Sequence, residues 1–93
     1  MTRPSSVRWF VYILRCADGS LYTGITTDVA RRCIQHNAGT ASRYTRSRLP
    51  ATLVYKEAQN DQSLALKREA AIKSLSRLQK KALIRQAARR QPR

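Results

Sequence analysis

Residues Val11 to Gly24, VYILRCADGSLYTG, constrain this chain more than any other stretch. Two runs rich in β-branched and aromatic residues, Trp9 to Arg15 and Leu21 to Thr26, flank Ala17-Asp18-Gly19, a three-residue turn with glycine last. Such side chains pack well on a pleated surface, and a terminal glycine supplies the left-handed residue that closes the turn, so the stretch predicts a β-hairpin. With a type I turn followed by a left-handed Gly19, Cys16 pairs with Ser20, Leu14 with Tyr22, and Tyr12 with Gly24. Both phenols then share one face about 7 Å apart on the diagonal, and Gly24 leaves space open opposite Tyr12. A two-residue Asp18-Gly19 turn would place them on opposite faces, because a slip of one residue turns a strand over.

The rest of the chain reads in order from this hairpin. Residues 1–6, MTRPSS, lack periodicity and read as a loose arm. Thr26, Thr27 and Asp28 offer N-cap oxygens to a helix from about Val29 to Ala38, closed by Gly39. On it Val29, Ala30, Cys33 and Ile34 make an apolar stripe, with Arg32 and His36, spaced i and i+4, side by side along its border. Thr40 to Pro50 reads as a basic loop with room for a short helical turn, carrying Arg43, Arg46 and Arg48 around Tyr44. Ala51 to Glu57 predicts a third strand. Asn60 or Asp61 caps the next helix, in which Leu64, Ala71, Ile72 and Leu75 recur at helical spacing. Ser76 with Gln79 forms a capping box that starts another short helix through Leu83 and Ile84, and residues 88–93 read as a fraying tail. The order β-β-α-β-α-α belongs to the α+β class, with helices packed over a small sheet.

At 93 residues the chain reads as a single domain, residues 1–93, with its core over about 8–85. Nineteen Lys and Arg against five Asp and Glu leave a net charge of +14. A field of that size favours a polyanionic partner, and nucleic acid ranks ahead of an anionic membrane because no long apolar segment accompanies the charge. The apolar runs are strand-sized and the N-terminus has no secretory h-region, so the expectation is a cytoplasmic protein with no membrane partner and no obligate protein partner. Cys16, Cys33 and one histidine are too few for a zinc site, so both cysteines read as small buried hydrophobes in a reducing compartment.

The five acids separate by use. Asp18 suits the turn, Asp28 and Asp61 suit helix N-termini, and Glu57 closes a strand. Glu69 stands mid-helix among Lys67, Arg68 and Lys73, in a field that attracts phosphate and repels metal cations. A carboxylate there supplies local negative charge for Mg²⁺ or Mn²⁺, which prefer oxygen ligands; the plainer use is an i,i+4 ion pair with Lys73. Two phenols on one sheet face, an Arg and a His on the following helix, and one carboxylate on a later helix together supply a base, a phosphate clamp and a metal ligand.

The segments Val11-Tyr12-Ile13 and Tyr22-Thr23-Gly24, followed by Arg32, His36 and Glu69, resemble the GIY-YIG nuclease superfamily, above all its small stand-alone bacterial members. The resemblance runs roughly from Trp9 to Ile84. It implies a three-stranded antiparallel sheet flanked by helices, and hydrolysis of a phosphodiester with one divalent cation, Mg²⁺ or Mn²⁺. By position, Tyr12, Tyr22, Arg32, His36 and Glu69 take the catalytic places, Glu69 that of the metal ligand, and Gly24 that of the second tripeptide's glycine. The resemblance further implies in-line attack by water, with Tyr12 and His36 taking its proton, Arg32 neutralising the phosphate, and Tyr22 orienting water or phosphate; either phenol can serve as base. The chain departs from the family pattern in Val11 and Thr23, in Ile25 where some relatives have a lysine, and in having no asparagine after Glu69.

Larger relatives append DNA-binding modules, and here the surface must do that work. The candidates are Arg43, Arg46 and Arg48 around Tyr44, whose ring suits stacking on an unpaired base, and the basic run of Lys73, Arg77, Lys80, Lys81 and Arg85, which a solvated face explains nearly as well. The reading is a metal-dependent endonuclease acting on single-stranded or branched DNA. Its rivals are a nucleic-acid-binding module of the same fold without turnover, and an RNA-associated basic protein resting on charge alone.

Overall fold

In the computed structural model, which describes residues 8–90, strands β1 (Trp9–Arg15) and β2 (Leu21–Thr26) form the expected hairpin. Gly19 takes φ 85°, and the turn closes through Cys16 N to Ser20 O and Gly19 N to Cys16 O, both 2.9 Å. Asp18 Oδ1 accepts from Ser20 N and Ser20 Oγ, holding the corner. Leu14 therefore pairs with Tyr22 and Tyr12 with Gly24. The third strand, β3 (Thr52–Gln59), pairs antiparallel with the other edge of β1, giving the order β2-β1-β3 with a register irregularity between Ile13 and Leu14.

β1 is the central strand, and Val11 to Leu14 are all buried because both faces of the sheet are covered. One face carries Val11 and Ile13, packed with Ala65 and Ile72 of helix α3 (Gln62–Lys73) and with Leu83 and Ile84 of helix α4 (Arg77–Arg90). The other carries Tyr12 and Leu14, packed with Tyr22, Ala51 and Leu49 and with Cys33 of helix α1 (Val29–Asn37). The basic loop contains a short helix, α2 (Arg43–Arg46), which packs against α1. The fold is thus α+β, among the described residues a three-stranded antiparallel sheet with four helices.

The caps fall on the expected residues. Asp28 accepts from Arg31 N to open α1, which closes at Gly39 with φ 80°, and Asp61 accepts from Leu64 N to open α3. Ser76 and Gln79 exchange side-chain-to-backbone hydrogen bonds in a reciprocal box.

The buried helix faces differ from the expected stripes. α1 turns Val29, Cys33 and His36 inward, while Ala30 is exposed and Ile34 is 71% exposed. His36 finds polar partners inside, so an imidazole takes the place of an isoleucine. α3 seats Ala65 and Ile72 on the sheet and leaves Leu64, Leu66 and Ala71 exposed, since a small residue at 65 lets the helix approach closely. α4 continues through Arg90, so residues 88–90 are helical. The loose arm expected over residues 1–6 and the last three residues of the tail lie outside the described residues. Cys16 is buried, Cys33 is half-buried, and both are free thiols.

Candidate active site

Tyr12 points into the sheet face covered by α1 and is 1% exposed. Its phenol lies directly over Gly24, where an added Cβ would stand 2.7 Å from Tyr12 Oη, so only glycine admits the ring. Tyr12 Oη lies 2.8 Å from His36 Nε2, and His36 Nδ1 lies 2.8 Å from Thr45 Oγ1; His36 and Thr45 are fully buried. The direction of this chain follows from its far end. Thr45 Oγ1 has the Ser42 carbonyl oxygen to donate to, at 3.4 Å, so it accepts from Nδ1–H and leaves Nε2 to accept from the phenol. Burial above all, helped by the nearby Arg32 charge, pushes His36 below its ordinary value and keeps the ring neutral. Burial also raises Tyr12 to about 12; Arg32 opposes that rise and Tyr22 adds to it.

Tyr22 shares the face and is half-buried, with its ring centroid 6.4 Å from that of Tyr12 and 5.1 Å from that of His36. Tyr44 stacks on it at 5.9 Å, and the Arg48 guanidinium carbon sits 3.9 Å from the Tyr44 ring centroid. Arg48 also donates to Asp18 Oδ2 at 3.1 Å and to the Tyr44 carbonyl at 2.8 Å. The basic loop is therefore folded down beside the tyrosines, while Arg43 and Arg46 project outward from α2.

Arg32 borders a polar cavity of about 160 Å³ with Thr26, Thr27, Asp28, Arg31 and Gln35. Its Nη1 donates to Gln35 Oε1 at 3.0 Å. The guanidinium is close enough to the Tyr12 hydroxyl to favour its ionisation, yet its buried Nε makes no hydrogen bond of ordinary geometry. Tyr12, Tyr22, Arg32 and His36 thus stand together, as two adjacent strands and one helix require.

Hairpin register, a glycine against a phenol, and an Arg and His one helical turn apart form one constellation, and the family model of the GIY-YIG catalytic domain matches residues 8–82. The chain belongs to the GIY-YIG family. That domain is the hallmark of a nuclease family. Among similar proteins, the UPF0213 protein DP2720 of Desulfotalea psychrophila is 56% identical over 85 residues, covering 88% of this chain and 77% of that protein. The UPF0213 protein VNG_2274C of Halobacterium salinarum is 53% identical over 73 residues, covering 78% and 95%. Of solved structures, the UPF0213 protein BH0048 of Bacillus halodurans aligns with a TM-score of 0.54 at 45% identity, covering 83% of this chain and 82% of that one. The protein EF2693 of E. faecalis aligns with a TM-score of 0.60 at 36% identity, covering 100% and 97%.

The candidate carboxylate, Glu69, comes from the helix on the other face of the sheet. Glu69 lies on α3, which packs against the opposite sheet face, and its Oε2 is 3.3 Å from Lys73 Nζ with the carboxylate side chain 19% exposed. Arg68, its neighbour, reaches Glu57 on β3 at 2.8 Å, so Glu69, one helical step on, occupies the flank turned toward β2. Phenol and carboxylate therefore approach β2 from its two faces. Among the described residues no group of three His, Cys, Asp or Glu comes together, so Glu69 would offer a metal a single carboxylate. That donor set fits a Mg²⁺-like ion, commonly held by one carboxylate with water and phosphate oxygens, and does not fit zinc.

Sequence reasoning missed two residues of the tyrosine face. Thr45 sits in a run that reads as a basic loop, and its contact with His36 spans the fold; only the Ser42 to Thr45 cap was visible locally. Lys56 pairs in register with Tyr12, which alternation along β3 could have shown. Lys73 is engaged by Glu69, while Arg77, Lys80 and Lys81 lie on α4. No described helix is long and apolar enough to cross a membrane.

Proposed function

We propose that this chain is a divalent-metal-dependent endonuclease that hydrolyses phosphodiester bonds in DNA with a single-stranded or branched feature, of the kind met in repair, recombination and uptake. The observation that carries the reading is the buried Tyr12–His36–Thr45 chain beneath Tyr22 and Arg32. A polar network kept in the core in place of apolar packing is where perturbed acids and bases concentrate.

Glu69 would hold the metal, which when bound supplies Lewis-acid polarisation of the phosphate and a more acidic water. Arg32 binds a phosphate oxygen from the wall of its cavity and neutralises charge that grows as the bond to the leaving 3′ oxygen breaks. Tyr12 is closed off from solvent, so Tyr22 is the phenol that meets the attacking water. Tyr22 takes the water's proton while its own proton passes inward to Tyr12 Oη, the proton of Tyr12 moves to His36 Nε2, and the imidazolium that forms keeps its Nδ1–H on Thr45. This gives the buried phenol a role that needs no free phenolate, which its raised value disfavours.

The Glu69–Lys73 ion pair is the observation that favours the other reading, a binding module of the same fold without turnover. The test is digestion of labelled single-stranded, duplex and branched DNA with Mg²⁺, Mn²⁺ or EDTA, comparing wild type with Glu69→Ala. Metal-dependent cutting that is lost in the variant supports the endonuclease and gives its substrate class. Equal binding by both proteins with no cutting by either hands the site to the binding module.

A further inference from the structure

At the hairpin end of the sheet, on the face opposite the tyrosines, a cavity of about 290 Å³ opens between the strands and α4. Arg15, Arg77, Lys81 and Arg85 line it above an apolar floor of Leu21, Val54 and Ile84. No acid lines it, and the reason is visible across the fold. Asp18 is engaged by Arg48, Glu57 by Arg68 and Glu69 by Lys73, while Asp28 and Asp61 cap helices. All five acids of the chain are committed elsewhere.

Arg77, Lys81 and Arg85 stand at i, i+4 and i+8 on a helix that contains no Asp or Glu. Like charges at that spacing repel, and Arg15 adds a fourth from the strand beside them, so the free protein gains from any anion that settles among them. The Arg77 guanidinium is held in place by donating to the Gly19 carbonyl at 2.9 Å. The same turn holds Arg48 through Asp18, and Arg48 lies on Tyr44 beside Tyr22. The hairpin tip is thus the point where the cations of the two sheet faces meet.

We infer that this groove is a second nucleic-acid contact, taking the phosphodiester backbone of the bound strand beyond the scissile bond and leading it around the hairpin tip. Phosphates lie against the four cations and the sugar edge lies on the apolar floor. The inference rests on nucleic acid being the partner, and it does not require that the strand be cut.

The test is therefore made in EDTA, where binding is read without turnover. Anisotropy of a labelled single-stranded oligonucleotide is followed as salt is raised, for wild type, the double variant Lys81→Ala/Arg85→Ala, and Lys67→Ala as a control on the exposed side of α3. Each phosphate contact removed lowers the slope of log K against log salt by about 0.7 for single strands, so the double variant is expected to lose about 1.4 and Lys67→Ala close to none. A double variant whose slope falls no further than that of Lys67→Ala overturns the groove. A second measurement needs no substitution: in the wild-type protein, amide shifts of Gly19, Leu21, Val54 and Ile84 are expected to move on adding the oligonucleotide, and shifts confined to α1 and α2 would equally overturn it. A chain that never cuts DNA yet shows both effects loses the endonuclease reading and keeps the groove; one that cuts with an unchanged slope does the reverse.

Discussion

At the scale of single residues, the decisive group is one that sequence periodicity passed over. Thr45 fixes which His36 nitrogen carries the proton, and so decides that Tyr12 donates. Replacing it with valine keeps the shape and strands a buried Nδ1–H. We expect Thr45→Val to lower stability by about 1–3 kcal/mol in denaturant melts, with Thr45→Ser close to wild type, and to reduce cleavage at constant substrate affinity. Gly24→Ala pushes a methyl group against the Tyr12 hydroxyl and should destabilise by about 1–3 kcal/mol, a loss that Tyr12→Phe cannot fully relieve because the ring carbon Cζ would still lie within 2.9 Å. Titration gives a further expectation. His36 is depressed in the folded protein, so its contribution to stability is present above about 6.5, the ordinary histidine value, and is lost as pH falls through the lower folded value. Thermal melts from pH 8 to 4 should show this loss in wild type and a smaller one in His36→Gln.

At the scale of elements, helix faces are where local pattern and tertiary packing part company. Leu64 and Ala71 read as core residues of α3 beside Ile72, yet Ala65 joins Ile72 on the sheet and both of the others are exposed. Ile72→Ala is expected to cost about 2–5 kcal/mol, and Leu66→Ala well under 1 kcal/mol because that side chain is already half in water. Glu69 belongs to the same helix, and its ion pair with Lys73 is an i,i+4 contact worth about 0.5 kcal/mol or less. Glu69→Gln should therefore melt near wild type while losing metal-dependent cutting. A large drop in melting temperature instead would mark the carboxylate as structural.

At the scale of the whole molecule, a net charge of +14 acts on stability and binding in opposite directions. Salt screens the self-repulsion of the folded chain and also displaces it from a polyanion, since the Debye length shortens to about 10 Å at 0.1 M. Raising salt from 50 to 300 mM is expected to raise the melting temperature while weakening DNA binding by orders of magnitude, both read on one preparation. With every acid already tied to a cap, a turn or a cation, much of the surplus charge lies on α2 and α4.

What the sequence determined by itself was whatever depends on neighbours along the chain. The hairpin register followed from a three-residue turn ending in glycine, the helix starts from Asp28, Asp61 and the Ser76–Gln79 box, and the shared face of Tyr12 and Tyr22 from the two-residue repeat of a strand. Tyr12, Tyr22, Arg32, His36 and Glu69 were legible as candidates, as residue types in order. Their relation was not. That His36 is buried rather than at a border, that Thr45 closes the chain behind it, that the helix of Glu69 packs on the sheet face opposite Tyr12, and that four cations gather at the hairpin tip all depend on how far each helix rotates about its axis. Rotation is set by the fit of side chains between elements distant in sequence, where His36 with its two buried hydrogen bonds turns inward and Ile34 outward, and that balance exists only once the sheet and helices have met.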